Sequence, residues 1–142
     1  MVGIMTVVIN GENVVVGRLA SKVAKLALLG EEVIVVNAEK TIMTGNKEFI
    51  FAKYTQLRNR KSISNPRRMG PKYPRRPDDI VRRIIRGMLP YKTPRGTEAF
   101  RKVKVMVGVP ENLTPNVEIN ETPNTNKYIT VGELSKHLGA KF

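Results

Sequence analysis

Thr6 to Ile9 is a short apolar run rich in β-branched residues, and the turn formers Asn10-Gly11-Glu12-Asn13 close it. A second β-branched run, Val14 to Val16, leads to Gly17, where the period changes. Leu19, Ala20, Val23, Ala24, Leu26 and Ala27 recur at helical spacing, and Gly30 suits the position just past a helix end. Val33 to Val36 is apolar without interruption, the mark of a strand buried on both faces. A turn at Thr44-Gly45-Asn46 precedes a helical pattern from Lys47 to Arg60, with Ile50, Tyr54 and Leu57 as its inward stripe. Two further helical patterns cover Pro77 to Gly87 and Pro94 to Lys102. Thr93 and Pro94 supply the cap and first position of the latter. Val103 to Val107 reads as a strand. The order β, α, β, α argues for an α/β fold: a parallel sheet with right-handed crossovers and helices on its faces.

Two segments lack a core pattern. Residues 59–76 are rich in Arg, Lys, Pro and Ser around a single Ile63, too little apolar surface to order themselves. Residues 111–126 hold Pro, Asn, Thr and acidic residues and read as an extended surface tail. Thr130-Val131-Gly132-Glu133 then forms a capping box for a short last helix with Leu134 and Leu138 inward and Gly139 as its stop. The expected organisation is an α/β domain over 1–108, with a basic extension at 59–76, followed by a tail and short helix over 109–142. There is no internal repeat.

Charge changes the picture. The 142 residues carry a net charge of +13, and residues 53–104 alone hold 17 cations against Asp78, Asp79 and Glu98, a surplus of +14. The remainder sums to −1. Such concentrated self-repulsion calls for a polyanion, and nucleic acid offers the densest negative charge. Cysteine is absent and His137 is the only histidine, which excludes disulfides, a thiol nucleophile and a Cys- or His-built metal site. The start of the chain lacks a signal-peptide pattern and no apolar run is long enough to span a bilayer, so a cytoplasmic, non-membrane protein is expected.

Within the basic stretch the Asp78–Gly87 helix is the most informative. Ile80, Val81, Ile84, Ile85 and Met88 share one arc, and Arg82, Arg83 and Arg86 share the opposite one. A solvated face would mix signs for i,i+4 pairing; this one is all cationic. The extension places Arg58, Arg60, Lys61, Arg67, Arg68, Lys72, Arg75 and Arg76 among prolines that hold the backbone extended, with Tyr73 available to stack on an unpaired base. Gly87 to Pro90 reads as a helix end with Met88 and Leu89 buried, leading to Lys92 and Arg95 as phosphate contacts. Thr44-Gly45-Asn46-Lys47 sits where a phosphate loop would, but the second spaced glycine is missing, so it reads as a structural turn. For catalysis the inventory is thin. Asp78 and Asp79 diverge by about 100° on a helix, Ser21 has no base nearby, and His137 reads as a surface residue. No catalytic residue, cofactor or small-molecule substrate is expected.

Four markers then stand in register: Gly17-Arg18-Leu19-Ala20-Ser21; Val35-Val36-Asn37-Ala38-Glu39-Lys40 running on to Thr44-Gly45-Asn46-Lys47; Arg86-Gly87-Met88-Leu89-Pro90 with Arg95-Gly96; and Lys102-Val103-Lys104-Val105 with Gly108. In this order and spacing, from about Val14 to Gly108, the chain resembles the universal large-subunit ribosomal protein family thirteen. Asn65-Pro66-Arg67-Arg68-Met69-Gly70-Pro71 and Gly132-Glu133-Leu134 resemble its archaeal and eukaryotic branch, and the modest length favours the archaeal one. The resemblance implies a three-layer α/β/α domain with a four-stranded, mainly parallel sheet. It also implies a structural role in binding large-subunit ribosomal RNA, with no enzymatic activity. The family's RNA-facing regions map onto Arg58 to Arg76 and Gly87 to Arg95. Beyond Gly108 the chain departs from the bacterial pattern, and the tail is expected to meet neighbouring large-subunit proteins. Two rival readings remain: a nucleic-acid-binding module outside the ribosome, which lacks a helix-turn-helix or RNP signature, and a small nucleotide-binding enzyme, which lacks a full phosphate loop.

Overall fold

The computed structural model describes residues 6–60, 63–65, 67, 70–119 and 121–142; the expectations for Lys61 and Arg68 lie outside them. Strand β1 (Thr6–Asn10) leads to helix α1 (Val16–Leu28), strand β2 (Glu32–Val36), a 3-10 turn (Ala38–Lys40) and strand β3 (Ile42–Thr44). Helices α2 (Lys47–Asn59), α3 (Pro77–Gly87) and α4 (Pro94–Arg101) follow, then β4 (Val103–Val105), β5 (Val117–Glu118), β6 (Tyr128–Thr130) and α5 (Val131–His137). Four strands form one sheet in the order β4-β2-β1-β5, every pair parallel. The expected α/β architecture with a four-stranded parallel sheet is the one observed.

Alternation along the strands explains where the core lies. Val7, Ile9, Val33, Val35 and Val103 are buried in one cluster with Leu19, Val23, Ile80, Val81 and Ile85 of α1 and α3. The uninterrupted run in β2 is accounted for by its place between two partner strands: Val36 is buried on the second face and Ile34 half-buried. Helix α1 buries the six residues Val16, Leu19, Ala20, Val23, Ala24 and Ala27, whereas α2 buries only Ile50 and leaves Phe49 exposed. The Val14–Val16 run is not a strand of the sheet. Val15 makes a single bridge to Ile42 and Val16 already begins α1.

The segment over 111–126, expected as a plain surface tail, supplies the fourth strand. Only Val117 and Glu118 pair with β1, but Asn116 extends the ladder through its side chain. Its Oδ1 accepts from Val8 N–H at 2.9 Å, its own N–H donates to Val8 O at 3.0 Å, and its Nδ2 donates to Thr6 O at 3.2 Å. Further on, β6 pairs antiparallel with β3, and Gly45 N–H donates to Lys127 O at 2.8 Å. The Thr130 cap is as expected, its hydroxyl accepting from Glu133 N–H at 3.2 Å.

Between these strands Glu121 ties the tail to α1. Its two carboxylate oxygens meet Arg18 Nη1 at 2.9 Å and Lys22 Nζ at 3.1 Å, and its backbone carbonyl accepts from Val15 N–H at 3.0 Å. The hydrogen bonds from Lys22 and then Arg18 hold its carboxyl below the ordinary value of 4.5. A depressed acid contributes above its unfolded pKa and ceases to contribute as pH falls through the folded one. Glu121→Gln therefore loosens the tail at neutral pH as acidification does for the parent. Hydrogen exchange should quicken at Val15 and at the Asn116–β1 ladder, with little change in the melting temperature because the pairs are accessible. Unchanged exchange at both would show that the strand pairing alone holds the tail.

Candidate nucleic-acid interface

Helix α3 organises the basic surface. Pro77 at its first position and Asp78 and Asp79 in its first turn start it favourably. Ile80, Val81 and Ile85 are at most 2 % exposed. With that arc fixed inward, Arg82, Arg83 and Arg86 emerge half-buried on the other side. Each is stacked on an aromatic ring from a different segment. Arg82 lies 3.9 Å from the ring centre of Phe100 in α4, Arg83 4.3 Å from Tyr73 in the extension, and Arg86 4.9 Å from Tyr91 in the turn after α3. Such contacts are worth about 0.5–2 kcal/mol each and engage the flat face of the guanidinium, leaving its N–H edge for hydrogen bonds.

Backbone carbonyls take part of that edge. Arg83 Nη1 donates to Lys72 O at 2.6 Å, Arg82 reaches Val103 O and Phe100 O at 3.4 Å, and Arg58 donates to Tyr73 O. Thus α2, the extension and α3 are tied together through residues 58, 72, 73 and 83. Arg82, Arg83, Arg86, Lys72, Tyr73, Pro74, Asp79 and Phe100 line one open cleft of about 330 Å³. Among the described residues, none of the three arginines pairs with a carboxylate. The one ion pair among the described residues of the basic stretch joins Arg76 Nε to Asp78 Oδ1 at 3.5 Å, without a hydrogen bond. Burial and then the nearby charge of Arg75 lower the Arg58 guanidinium from its ordinary value. The like-charge contribution marks a place where an anion would be welcome.

The remaining expected residues are dispersed. Arg60, Arg67, Arg75 and Arg76 are exposed along the extension, no described residue of 60–76 lies in a helix or strand, and Lys92 and Arg95 are exposed beyond the cleft. Met88 corrects the expectation of burial: it is 44 % exposed while Leu89 is 4 % exposed. The end of α3 tightens, with Met88 N–H donating to Ile85 O and Leu89 N–H to Arg86 O. That i→i−3 geometry advances the chain by about 120° per residue and swings Leu89 inward in place of Met88. Phe100 was missed as a member of the site. Its one signal is being the sole aromatic of a basic, otherwise small-residue helix.

Residues singled out for chemistry and set aside have structural partners. Asn46 caps α2 by accepting from Glu48 N–H, and Ser21 Oγ donates to Arg18 O. His137 stacks on Phe51 with ring centres 4.1 Å apart. Among the described residues no acidic or histidine cluster could hold a metal ion, and no helix is long and apolar enough to cross a membrane.

Fold and cleft together define a basic α/β protein whose three cleft arginines are held in place and, among the described residues, left without acidic partners. The family model for ribosomal protein L13 matches residues 4–112, so the chain belongs to that family, one of structural ribosomal components rather than enzymes. It is 74 % identical over 136 residues, covering 96 % of this chain and 99 % of the relative, to the large ribosomal subunit protein uL13 of Methanococcus maripaludis. The protein of that name from Methanocaldococcus jannaschii is 60 % identical over 135 residues (95 % and 98 % covered), and that from Archaeoglobus fulgidus 40 % over 139 (93 % and 86 %). The archaeal branch, favoured by length within the archaeal and eukaryotic grouping that the motifs indicated, is the one these relatives represent.

Gly96 sets the turn that carries Tyr91, Lys92 and Arg95. A Cβ at Gly96 would lie 1.8 Å from Pro90 O and 2.8 Å from Tyr91 N, backbone atoms that cannot step aside. Gly96→Ala should cost about 1–3 kcal/mol or more and displace Tyr91 from Arg86, read as a lower denaturation midpoint. Gly87→Ala, with open space around its Cβ, should instead be neutral or stabilise by up to about 1 kcal/mol. Equal effects of the two would refute the close-approach argument.

Proposed function

We propose that this chain is a structural constituent of the large ribosomal subunit that binds and organises large-subunit ribosomal RNA and performs no catalysis. The observation that carries the reading is the absence, among the described residues, of acidic partners for Arg82, Arg83 and Arg86, inside a stretch whose surplus is +14. In this reading the α/β body presents those three arginines to RNA. Arg58, Arg60, Lys61, Arg67, Arg68, Lys72, Arg75 and Arg76 track phosphates along the extension, with Tyr73 stacking among them. Lys92 and Arg95 add contacts from the turn before α4. Ordering the extension on RNA offsets part of the gain in contacts. The tail, exposed at Val109, Val117 and Tyr128, is the surface for neighbouring large-subunit proteins. The place of action is the ribosome in the cytoplasm.

Sedimentation of a native lysate after a high-salt wash should find the protein stoichiometric in the large subunit. In reconstitution with ribosomal RNA, log affinity should fall with log salt by about 0.7–0.9 per phosphate contact. Replacing Arg82, Arg83 and Arg86 together by Gln should lower that slope by about three contacts. A protein found only in light fractions, or a slope unmoved by the triple substitution, would reject the reading.

A further inference from the structure

The cleft in front of α3 does not stand alone. Behind Tyr73 lies a second cavity of about 160 Å³, lined by Tyr54, Leu57, Ile80 and Ile84 together with Tyr73, Pro74 and Arg83. The last three line the arginine cleft as well, so the two spaces adjoin across one tyrosine and one guanidinium. Their chemistry differs. The first is walled by Lys72, Arg82, Arg83 and Arg86 with Asp79 as its single acid. The second is largely apolar, with Arg83 and the two tyrosines as its polar side chains. Burial pushes the Tyr54 hydroxyl up from its ordinary value. An anionic ribose-phosphate backbone running past accounts for the first space and leaves the second unexplained. A ligand with a flat, largely apolar ring on one side and a phosphate on the other accounts for both.

We propose that the paired cavities hold one unpaired ribonucleotide, its base in the Tyr54–Leu57–Ile84 cavity against Tyr73 and its phosphate on Arg82, Arg83 and Arg86. This rests on the reading that the chain binds large-subunit RNA. A base inside a duplex cannot reach the apolar space, so the occupant is a bulged or looped-out residue. The recorded hydrogen bonds take two donors of Arg82 and one of Arg83 out of five each, which leaves donors for the phosphate. The aromatic stacking beneath the arginines holds them in place before the ligand arrives, and a pre-ordered site loses less on binding. One nucleotide therefore fixes the register of the protein on RNA, while the dispersed cations supply contact that is indifferent to sequence.

The test uses the full chain and two RNA hairpins of equal length and charge. One has a single bulged 2-aminopurine, and the other has the same base paired. At low salt a chain of +13 binds both. The bulged hairpin should bind about tenfold tighter, the scale of one stacked base, and its 2-aminopurine should become shielded from acrylamide quenching. Leu57→Trp, which fills the apolar cavity, should abolish the preference while leaving paired-hairpin affinity within about twofold. Should that variant fail to fold, the shielding measured on the parent chain still decides. Equal affinity for the two hairpins with an unshielded base overturns the nucleotide site and leaves RNA binding intact. Binding to neither overturns the functional reading itself. If free AMP occupies the site while the bulge confers no advantage, the cavities belong to a mononucleotide, and the assignment to RNA falls.

Discussion

The burial of Ile80, Val81 and Ile85 is the constraint on which the basic surface depends. A helix offers no independent choice of its two sides: once the apolar arc of α3 is seated in the core, the direction of Arg82, Arg83 and Arg86 is settled at 100° per residue. Losing a buried Ile side chain typically costs 2–5 kcal/mol, more than any one of the cation–π contacts above it. The arginines thus follow the core, and the rings of Phe100, Tyr73 and Tyr91 refine their placement. Three separate segments each contribute one ring, so the surface assembles only when α4, the extension and the turn after α3 are in place.

A chain with this charge distribution carries repulsion that does not help it fold. The structure limits the damage in two ways. It gives the guanidiniums aromatic faces and backbone carbonyls instead of acids, which orders them without neutralising them. It also keeps most of the acids elsewhere. Glu121 and Glu12 serve Arg18, Lys22 and Lys40, all outside the basic stretch. Acidic partners near the cleft would have steadied the free protein at the expense of its attraction for an anion.

Much of this was legible in the residues, for identifiable reasons. Leu19, Ala20, Val23, Ala24 and Ala27 fall on one stripe long enough to show its period, and all are buried. Thr93 before Pro94 and Thr130 before Glu133 announce helix starts because a threonine hydroxyl there can accept from an unpaired N–H of the first turn. The arc of Ile80, Val81 and Ile85 was readable for the same reason as α1. What was not legible depends on partners far away. Strands β3 and β6 have three residues each, and β5 has two exposed ones. No alternation can be read in so few positions, and each exists because a distant strand offers it a ladder. The exposure of Met88 turned on the helix tightening by one hydrogen-bond step, which composition does not encode. Phe100 beside Ala99 looks like core filler; that its face lies 3.9 Å from Arg82 is set by the placement of two separate helices.

The pairing of β5 with β1 has a consequence in time. Val8 and Asn116, bonded to each other, are 108 positions apart, so the outer edge of the first strand stays open while almost all of the chain is being made. Contacts of such long range are the slow ones in folding, and an open parallel edge invites association with other chains. During that interval the nascent protein displays an unfinished sheet together with most of its positive charge. Closing the edge early was not available to this topology. The moment at which a growing chain receives the fourth strand of its sheet therefore becomes part of how the molecule reaches its final form.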